Sequence, residues 1–345
     1  MEDTIHITIV TFTAIPHILR RIVTESLGIT WSRVRIVKPY VGGAFGNKQD
    51  AVLEPMVTFL TMKLNGRPVR ITMSREECMT CTQNRHPMQV KLKTGIKKDG
   101  TMVARHTDAV SITGAYASYG HSVLESGISR INYLYPRMTF GYNIKTVYAN
   151  IPTAGAMRGF GAPQIIFALE SSLDDIARKA GIDEVEFRLK NVAKPGDINP
   201  GTGLPILSCG ITECLEKGKK LIRWDEKKKE YTGQRLGSKR RGLGVACFSF
   251  ASGVYPFMLE IAGARIILNQ DGAVHIQTGA TEIGQGVDTV IAQMAAETIG
   301  ISFESVHIVT TQDTDVTPYD TGAYASRQTY VVSNAINKAA IELKQ

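Results

Sequence analysis

The hydrophobic and polar positions of this chain predict short strands that alternate with amphipathic helices. Residues 5–12 alternate β-branched and other side chains, which is typical of a strand, and residues 33–37 predict a second one. Between them, residues 17–27 place their apolar side chains on one helical face, with Pro16 before it and Gly28 after it. Further helices are predicted at 51–64, 165–180, 184–191, 211–222, 287–299 and 328–343.

The remaining apolar runs predict more strands, and two pairs of them are joined by turn sequences. The turns are Lys97-Lys98-Asp99-Gly100 and Asn269-Gln270-Asp271-Gly272, both typical of hairpins. A chain that mixes hairpins with helix–strand pairs is expected to form an α+β fold with mixed sheets and packed helices. These strands are predicted at 69–73, 88–96, 101–107, 146–150, 242–250, 262–269, 273–278 and 306–310.

One internal repeat stands out. Residues 17–37 and residues 289–309 both consist of a helix, a glycine turn and a strand, and they lie in register at an offset of 272 residues (289 − 17). Two copies are too few for a solenoid. They predict two structurally related halves, each of which places a helix–strand unit next to a glycine-rich loop.

Composition narrows the class of protein. The chain has 345 residues, of which 43% are hydrophobic and 21% charged, and it contains no run of eighteen apolar residues. These values predict a globular protein with two or three domains and no membrane span. The first residues lack the pattern of a secretory signal, and five cysteines in so long a chain do not suggest a disulfide framework. A cytoplasmic location is predicted.

The net charge of +8 is concentrated in one segment. Residues 217–241 hold eleven Lys and Arg residues against three acidic ones. A nucleic-acid-binding surface would need aromatic side chains among these charges, and only Trp224 and Tyr231 are present. We therefore interpret residues 223–241 as a solvated basic linker and expect no nucleic-acid partner.

Four loops rich in small residues each come directly before a predicted helix. Because the start of a helix offers unpaired N–H groups, such loops suit a phosphate or a polar heterocycle. Taken alone, loop 1 is more typical of a tight turn, and it matches neither a P-loop nor a dinucleotide-binding fingerprint. Four such loops instead suggest one large ligand. They are loop 1 (residues 42–48), loop 2 (158–164), loop 3 (279–286) and loop 4 (321–327).

The other patterns that could support chemistry are weak. Cys78 and Cys81 have the spacing of half a zinc site, but no second pair of ligands accompanies them, so buried or incidental thiols are the simpler interpretation. No cluster of metal ligands and no pattern of a catalytic serine is present in the sequence.

Together, the four loops resemble the molybdenum-cofactor loops of the xanthine dehydrogenase / aldehyde oxidase family, most closely those of the bacterial xanthine dehydrogenase molybdenum-binding subunit. The resemblance implies a molybdenum–molybdopterin cofactor in its cytosine dinucleotide form, with the metal held by the pterin dithiolene and by no side chain. It also implies 2Fe–2S and FAD groups on partner subunits. The cofactor-binding residues that it implies are Gly43, Phe45, Gly46, Arg158, Gly284, Gln285, Gly286, Ala323 and Ser326.

The resemblance also implies an activity. A metal-bound hydroxide attacks an sp² carbon of a purine or related N-heterocycle, hydride passes to a Mo=S sulfur, and the electrons leave through 2Fe–2S and FAD. Phe160 is expected to sandwich a flat aromatic substrate. Gln49 stands where purine-oxidising members often carry Glu, and Ser126 where some carry Arg, so an aldehyde, a nicotinate-like heterocycle or an aromatic thioester stays open as substrate.

The chain also departs from the family pattern. The family's general-base Glu is expected beyond Gln345, so no catalytic side chain is assigned here, and most of a preceding domain is expected to lie before Met1. The predicted domains are a first molybdopterin-binding domain (1–222), the linker (223–241) and the start of a second such domain (242–345). A split C-terminal chain is a possible partner, and a non-catalytic remnant or assembly subunit is the alternative function.

Overall fold

The computed structural model describes residues 6–231, 238–254, 260–309 and 312–345. Ile5 and Thr310, at the ends of predicted strands, and Arg235 in the basic linker lie outside the described residues. The α+β class is confirmed, with three mixed sheets and ten α-helices among the described residues. The strands are β1 (Ile7–Val10), β2 (Val34–Lys38), β3 (Met88–Ile96), β4 (Met102–Gly114), β5 (Thr139–Tyr148), β6 (Ala264–Leu268), β7 (Val274–Thr278), β8 (Val306–Ile308) and β9 (Gln312–Asp313).

The helices vary in length from seven to nineteen residues, and none in the described ranges is long and apolar enough to cross a membrane. They are α1 (Pro16–Leu27), α2 (Glu54–Lys63), α3 (Arg75–Cys81), α4 (Gly120–Leu134), α5 (Ala162–Ala180), α6 (Glu184–Asn191), α7 (Ile211–Leu221), α8 (Trp224–Tyr231), α9 (Val287–Ile299) and α10 (Ser333–Lys344).

The chain forms two compact units, and both are discontinuous in sequence. Unit 1 contains residues 1–84, 156–158 and 251–345, and unit 2 contains residues 85–155 and 159–250. The domain boundaries at 222 and 241 stay a prediction.

The first sheet of unit 1 has the strand order β1-β2-β9, with β1 parallel and β9 antiparallel to β2. Leu19 and Val23 on the inner face of α1 pack with Val34 and Ile36 of β2. Proline at the first turn of α1 suits a position where no N–H bond is needed. The helix ends at Gly28, whose φ of 64° is readily accessible to glycine.

The second sheet of unit 1 has the order β6-β7-β8 and confirms the internal repeat. As α1 does, α9 ends at a left-handed glycine, Gly300, whose φ is 85°. A short 3₁₀ turn and β8 follow, just as a 3₁₀ turn and β2 follow α1. Both copies of the repeat lie in unit 1, and each adds a strand to one of its two sheets.

Unit 2 is built on the sheet β3-β4-β5. The predicted hairpin forms between β3 and β4, and β5 then pairs with β4 in parallel after a crossover that contains α4. Helices α4 and α5 pack on each other and supply much of the core, including Leu124, Ile131, Leu169 and Leu173.

Several local predictions were wrong. Residues 69–73 and 242–250 form no strand, although their composition suits one, because no neighbouring strand pairs with them. Helix α4 was not predicted, because it begins inside the small-residue segment 114–121, where the periodic pattern is weak. Helix α8 lies inside the segment interpreted as a linker.

The last predicted helix begins differently from the others. Residues Gln328–Val332 form a π-helical turn that continues directly into α10. Such a turn holds one residue more than an α-helical turn. Beyond it, Ile336 and Ala340 of α10 are fully buried.

Candidate cofactor site

Three of the four predicted loops meet in unit 1. The N–H of Gly43 in loop 1 donates to the carbonyl of Ile283 in loop 3 at 2.8 Å. The amide Nε2 of Gln49, one residue beyond loop 1, donates to the carbonyl of Ala323 in loop 4 at 3.1 Å. The N–H of Arg158 donates to the carbonyl of Phe45 at 2.8 Å. We call loops 1, 3 and 4 together with Arg158 the loop cluster.

The parallel pairing of β1 and β2 explains the position of this cluster. Because the strands are parallel, their carboxyl ends share one edge of the sheet, and the chain leaves β2 directly towards loop 1. On the β1 side, Ala14 connects two loops: its N–H donates to the carbonyl of Lys48 and its carbonyl accepts from the N–H of Ala323, both at 2.9 Å.

Backbone strain is concentrated in the loops. Seven non-glycine residues of the described chain have positive φ, and four of them lie in loops 1, 2 and 4: Phe45 (54°), Phe160 (45°), Ala325 (46°) and Ser326 (52°). Such conformations cost free energy and are enriched at functional sites.

The glycines of loops 1 and 4 are required by close contacts. At Gly46, whose φ is 114°, an added Cβ would lie 2.5 Å from the carbonyl oxygen of Ala156. At Gly322, whose φ is 112°, it would lie 2.5 Å from the carbonyl oxygen of Ala14. Both distances are below van der Waals contact, so any other residue would force the backbones apart.

Loop 1 presents backbone donors. Within the described ranges, neither the N–H of Phe45 nor that of Gly46 has a hydrogen-bond acceptor. The Phe45 side chain is 63% exposed, although phenylalanine is usually buried. The Nζ of Lys48 donates to the carbonyl of Gly43 at 2.9 Å and fixes the loop from within.

Loop 3 has its helix-terminal donors occupied by one of its own side chains. The Glu282 carboxylate accepts from the N–H groups of Gly284 at 2.6 Å, Gly286 at 3.2 Å and Asp288 at 3.1 Å. Burial tends to raise the pKa of Glu282, but these backbone bonds outweigh it and hold the pKa below its ordinary value. The Gln285 amide is also bonded within the loop, to Ile283 and Thr281.

Next to loops 1 and 3 lies a group of charges in which Lys38 is fully buried and Glu282 and Asp288 are half-buried. Lys38, at the end of β2, is 0% exposed, and its Nζ donates to the carbonyls of Pro39 at 3.1 Å and Glu282 at 2.9 Å. Burial lowers the pKa of Lys38. Burial, followed by the charge of Glu282, raises the pKa of Asp288 to about 6, although Lys38 partly opposes that shift.

Sequence reasoning missed these charges, although one signal for Lys38 was present. The alternation in β2 puts Val34, Ile36 and Lys38 on the same inward face, so the pattern already places a lysine in the core. Its bond to Glu282 spans 244 residues of sequence and follows from no local pattern.

Loop 4 is held by a second buried cation. The Arg327 side chain, 0% exposed, donates to the carboxylates of Asp320 at 2.6 Å and Glu260 at 2.5 Å and to the carbonyl of Gly322 at 3.0 Å. Burial raises the pKa of Asp320 to about 6, although Arg327 acts to lower it. The N–H of Gly322 donates to the same carboxylate, which closes the loop.

The predicted substrate residues Phe160 and Ser126 lie in unit 2, while Gln49 lies in unit 1. The Phe160 ring meets that of Tyr119 edge to face, with centroids 5.8 Å apart. Ser126 lies on α4 beside Gly127, where an added Cβ would lie 2.9 Å from the carbonyl oxygen of Gly161 in loop 2. Within unit 2, loop 2 therefore packs on the helix that carries Ser126.

The residues of the loop cluster fit a pterin cofactor better than a directly bound metal. Unpaired N–H groups at Phe45 and Gly46, glycines without room for a side chain and an exposed aromatic ring suit a flat, polar, anionic ligand. In the described ranges, no group of three or more His, Cys, Asp and Glu residues is placed to hold a metal ion.

Comparison with known proteins decides the family. Residues 1–192 and residues 217–345 each match the molybdopterin cofactor-binding domain. The chain belongs to this family. The resemblance of the four loops is therefore confirmed at the level of the family.

Among relatives, the xanthine dehydrogenase molybdenum-binding subunit of Escherichia coli O157:H7 is 53% identical over 345 residues, covering all of this chain and 46% of that protein. The chain thus spans about half the length of this relative. The aldehyde oxidoreductase of Desulfovibrio gigas has a similar structure, with a TM-score of 0.86 and 26% identity over 99% of this chain and 37% of its own. Quinoline 2-oxidoreductase from Pseudomonas putida 86 shares the fold, with a TM-score of 0.90 and 24% identity over 98% of this chain and 44% of its own.

Proposed function

We propose that this chain is the cofactor-holding part of a xanthine dehydrogenase-like molybdenum hydroxylase that oxidises a purine or a related N-heterocycle. The observation that carries the proposal is the loop cluster, in which three distant loops are joined by hydrogen bonds around unpaired backbone donors. Membership of the molybdopterin cofactor-binding domain family and the 53% identity to a xanthine dehydrogenase subunit support it.

In this proposal, the residues of unit 1 bind and orient the cofactor. The N–H groups of Phe45 and Gly46 donate to its negatively charged oxygens, with Arg158 beside them. The turn Gly284–Gly286 faces the pterin through its bare backbone, and Ala323 and Ser326 line the side of loop 4. When bound, the cofactor supplies the two-electron redox chemistry that hydroxylates the substrate carbon.

In unit 2, Phe160 and its neighbour Tyr119 supply an aromatic wall against which a flat heterocycle stacks. Gln49 and Ser126 are proposed to influence the choice between a purine and other substrates. We place the general base in a part of the protein outside this chain or in a partner chain. The electrons leave to 2Fe–2S and FAD groups on partner subunits, in the cytoplasm, and the cofactor is the cytosine dinucleotide form.

The direct test uses the full-length protein purified with the subunits that copurify with it. Its molybdenum content, released pterin and nucleotide are measured, followed by turnover of xanthine, an aldehyde and nicotinate with an electron-acceptor dye. Bound molybdenum and pterin with oxidation of a purine are the expected result. A protein that folds and copurifies with its partners but contains neither metal nor pterin would overturn the proposal and favour a non-catalytic assembly subunit.

Two substitutions separate the cofactor role from the substrate role. We expect Arg158→Ala to lower the molybdenum content of the purified protein more than Gln49→Ala, because the Arg158 side chain is proposed to lie beside the charged oxygens of the cofactor. The bond from the main-chain N–H of Arg158 to Phe45 remains in this variant. Gln49→Ala should mainly change the ratio of kcat/KM between substrates. Loss of its bond to Ala323 adds only a small decrease in occupancy. Equal losses of molybdenum in the two variants would contradict these assignments.

A further inference from the structure

Lys38 occupies an unusual position for a lysine. Its side chain is completely buried, and its Nζ donates to two main-chain carbonyls, that of Pro39 before loop 1 and that of Glu282 within loop 3. A buried ammonium group is expensive to desolvate, and an apolar residue of the same volume is often as stable or more so. Stability of the fold alone therefore gives little reason for a lysine here.

The residue at the other end of this contact organises loop 3. The main-chain carbonyl of Glu282 accepts from Lys38, while its side chain accepts from the N–H groups of Gly284, Gly286 and Asp288. One residue thus connects the core lysine to the whole turn Gly284–Gly286. The next carbonyl, that of Ile283, accepts from the N–H of Gly43.

The turn needs such support from outside. Gly284 and Gly286 both have positive φ, and an added Cβ at Gly286 would meet no atom within 4 Å. At Gly284 an added Cβ would lie 3.6 Å from the N of Gly43 and the carbonyl oxygen of Val41, so the turn has neighbouring atoms at one end only and depends on its hydrogen bonds at the other. Glycine backbone without packing samples many conformations.

We infer that Lys38 and Glu282 are positioning residues that hold the Gly284–Gly286 turn against loop 1 in a geometry ready for the cofactor. The inference deepens the proposed function and rests on it for the identity of the ligand. It also changes the role of the N–H groups at the start of α9. The Glu282 carboxylate already accepts from the N–H groups of Gly286 and Asp288, so these two donors are not available to an anionic group of the cofactor.

The test compares full-length protein carrying Lys38→Met or Glu282→Ala with the wild type. Methionine keeps the length of the buried stem and removes the two donated bonds. In cofactor-free protein, made in a host that lacks molybdopterin, amide hydrogen exchange of residues 39–48 and 279–288 should accelerate by about tenfold. In protein made with the cofactor, molybdenum and pterin content should decrease several-fold.

The midpoint of thermal unfolding distinguishes positioning from general stability. For Lys38→Met it should stay within a few degrees of the wild type, because methionine packs where the stem of the lysine did. Glu282→Gln, which keeps an acceptor oxygen but not the charge, should recover part of the cofactor content lost in Glu282→Ala. Ser74→Ala is the matched control, because it removes the cap of α3 in the same unit without touching the loops.

The results that would overturn the inference are specific. Unchanged exchange in both loops for Lys38→Met would contradict it, as would faster exchange throughout unit 1 with a much lower unfolding midpoint. Failure of the proposed function has a different signature, a wild-type protein without molybdenum or pterin. In that case the exchange measurement still decides whether Lys38 and Glu282 hold the turn.

Discussion

Each of the two units contains a fully buried arginine paired with two carboxylates, and these two charged clusters stabilise different kinds of structure. In unit 2, Arg188 donates to the Glu170 carboxylate and forms an ion pair with Asp174, both at 2.8 Å, and joins α6 to α5. In unit 1, Arg327 donates to Asp320 and Glu260 and closes loop 4. The same pair of chemical groups therefore fastens two helices in one unit and shapes a strained loop in the other.

The difference lies in the most deeply buried carboxylate of each cluster, Glu170 in unit 2 and Asp320 in unit 1. Both oxygens of Glu170 are bonded, one to the Tyr135 hydroxyl and the other to Arg188 and the N–H of Cys247. One oxygen of Asp320, Oδ2, has no partner within the described ranges, and the pKa of that residue is about 6. Asp174 Oδ1 in unit 2 also lacks a hydrogen bond, but that side chain is 30% exposed, whereas Asp320 is fully buried. A fully hydrogen-bonded buried carboxylate stabilises a core, whereas an incompletely bonded one carries a free-energy cost at the candidate site.

The largest expected effect belongs to the cluster in unit 2. Arg188→Ala leaves Glu170 buried without its cation and should lower the free energy of unfolding by about 3–5 kcal/mol. Chemical denaturation of the full-length protein measures this. Arg178→Ala, which removes an exposed arginine of α5 paired with Asp175, is the matched control and should leave stability unchanged. A small effect of Arg188→Ala would mean that the cluster does not hold the helices together.

The cluster in unit 1 should be less costly to break. Arg327→Ala is expected to lower the free energy of unfolding by about 2 kcal/mol at pH 7, because Asp320 escapes part of the cost by taking up a proton. By pH 5, below its pKa of about 6, Asp320 is already largely protonated in the wild type. The contribution of Asp320 to the difference in the free energy of unfolding between wild type and Arg327→Ala therefore disappears at pH 5.

Denaturation curves of wild type and Arg327→Ala at pH 7 and pH 5 sharpen the comparison. The difference in the free energy of unfolding between wild type and Arg327→Ala should narrow as the pH falls from 7 to 5, because Asp320, with a pKa of about 6, takes up a proton in that range. A difference that stays constant between the two pH values would show that Asp320 does not contribute to it.

The smallest expected effect concerns Asp288. Its pKa rises from 3.8 to about 6 on folding, so its ionised form destabilises the native state at pH 7, and this cost is relieved as the pH falls through 6 towards 4. Asp288→Asn should therefore be about 1 kcal/mol more stable than the wild type at pH 7 and no more stable at pH 4. Asp175→Asn on the exposed face of α5 is the control for this pH dependence. A stabilisation of the same size at both pH values would rule out the Asp288 titration as its cause.

The sequence predicted the features that depend on residues close together in the chain, and it did not predict those that depend on residues far apart in the chain. Local patterns predicted α1, α9 and the hairpin of β3 and β4, because periodicity, capping glycines and turn residues are read within a few positions. Strand pairing is not local, so residues 242–250 have a strand-like composition but form no ladder. The start of α4 was not predicted, because the small residues of segment 114–121 show no helical periodicity.

The candidate site shows the same division. The loops were recognisable because glycines leave a sequence signature, and the structure gives physical reasons for Gly46 and Gly322. The assignment of single residues to cofactor or substrate stays a prediction. The alternation in β2 indicates that Lys38 faces the core, but the partners of the charges could not be predicted, because Lys38 meets Glu282, and Arg327 meets Glu260, only after the chain has folded.

The π-helical turn between loop 4 and α10 has a consequence for changes in chain length. Because this turn holds one extra residue, deleting one position from 328–332 can convert it into an ordinary α-helical turn and leave the buried face of α10 in register with α9. A deletion inside α10 itself would instead rotate the parts on either side of it by about 100° relative to each other. A single-residue deletion series should therefore preserve stability and the conformation of loop 4 best at residues 328–332.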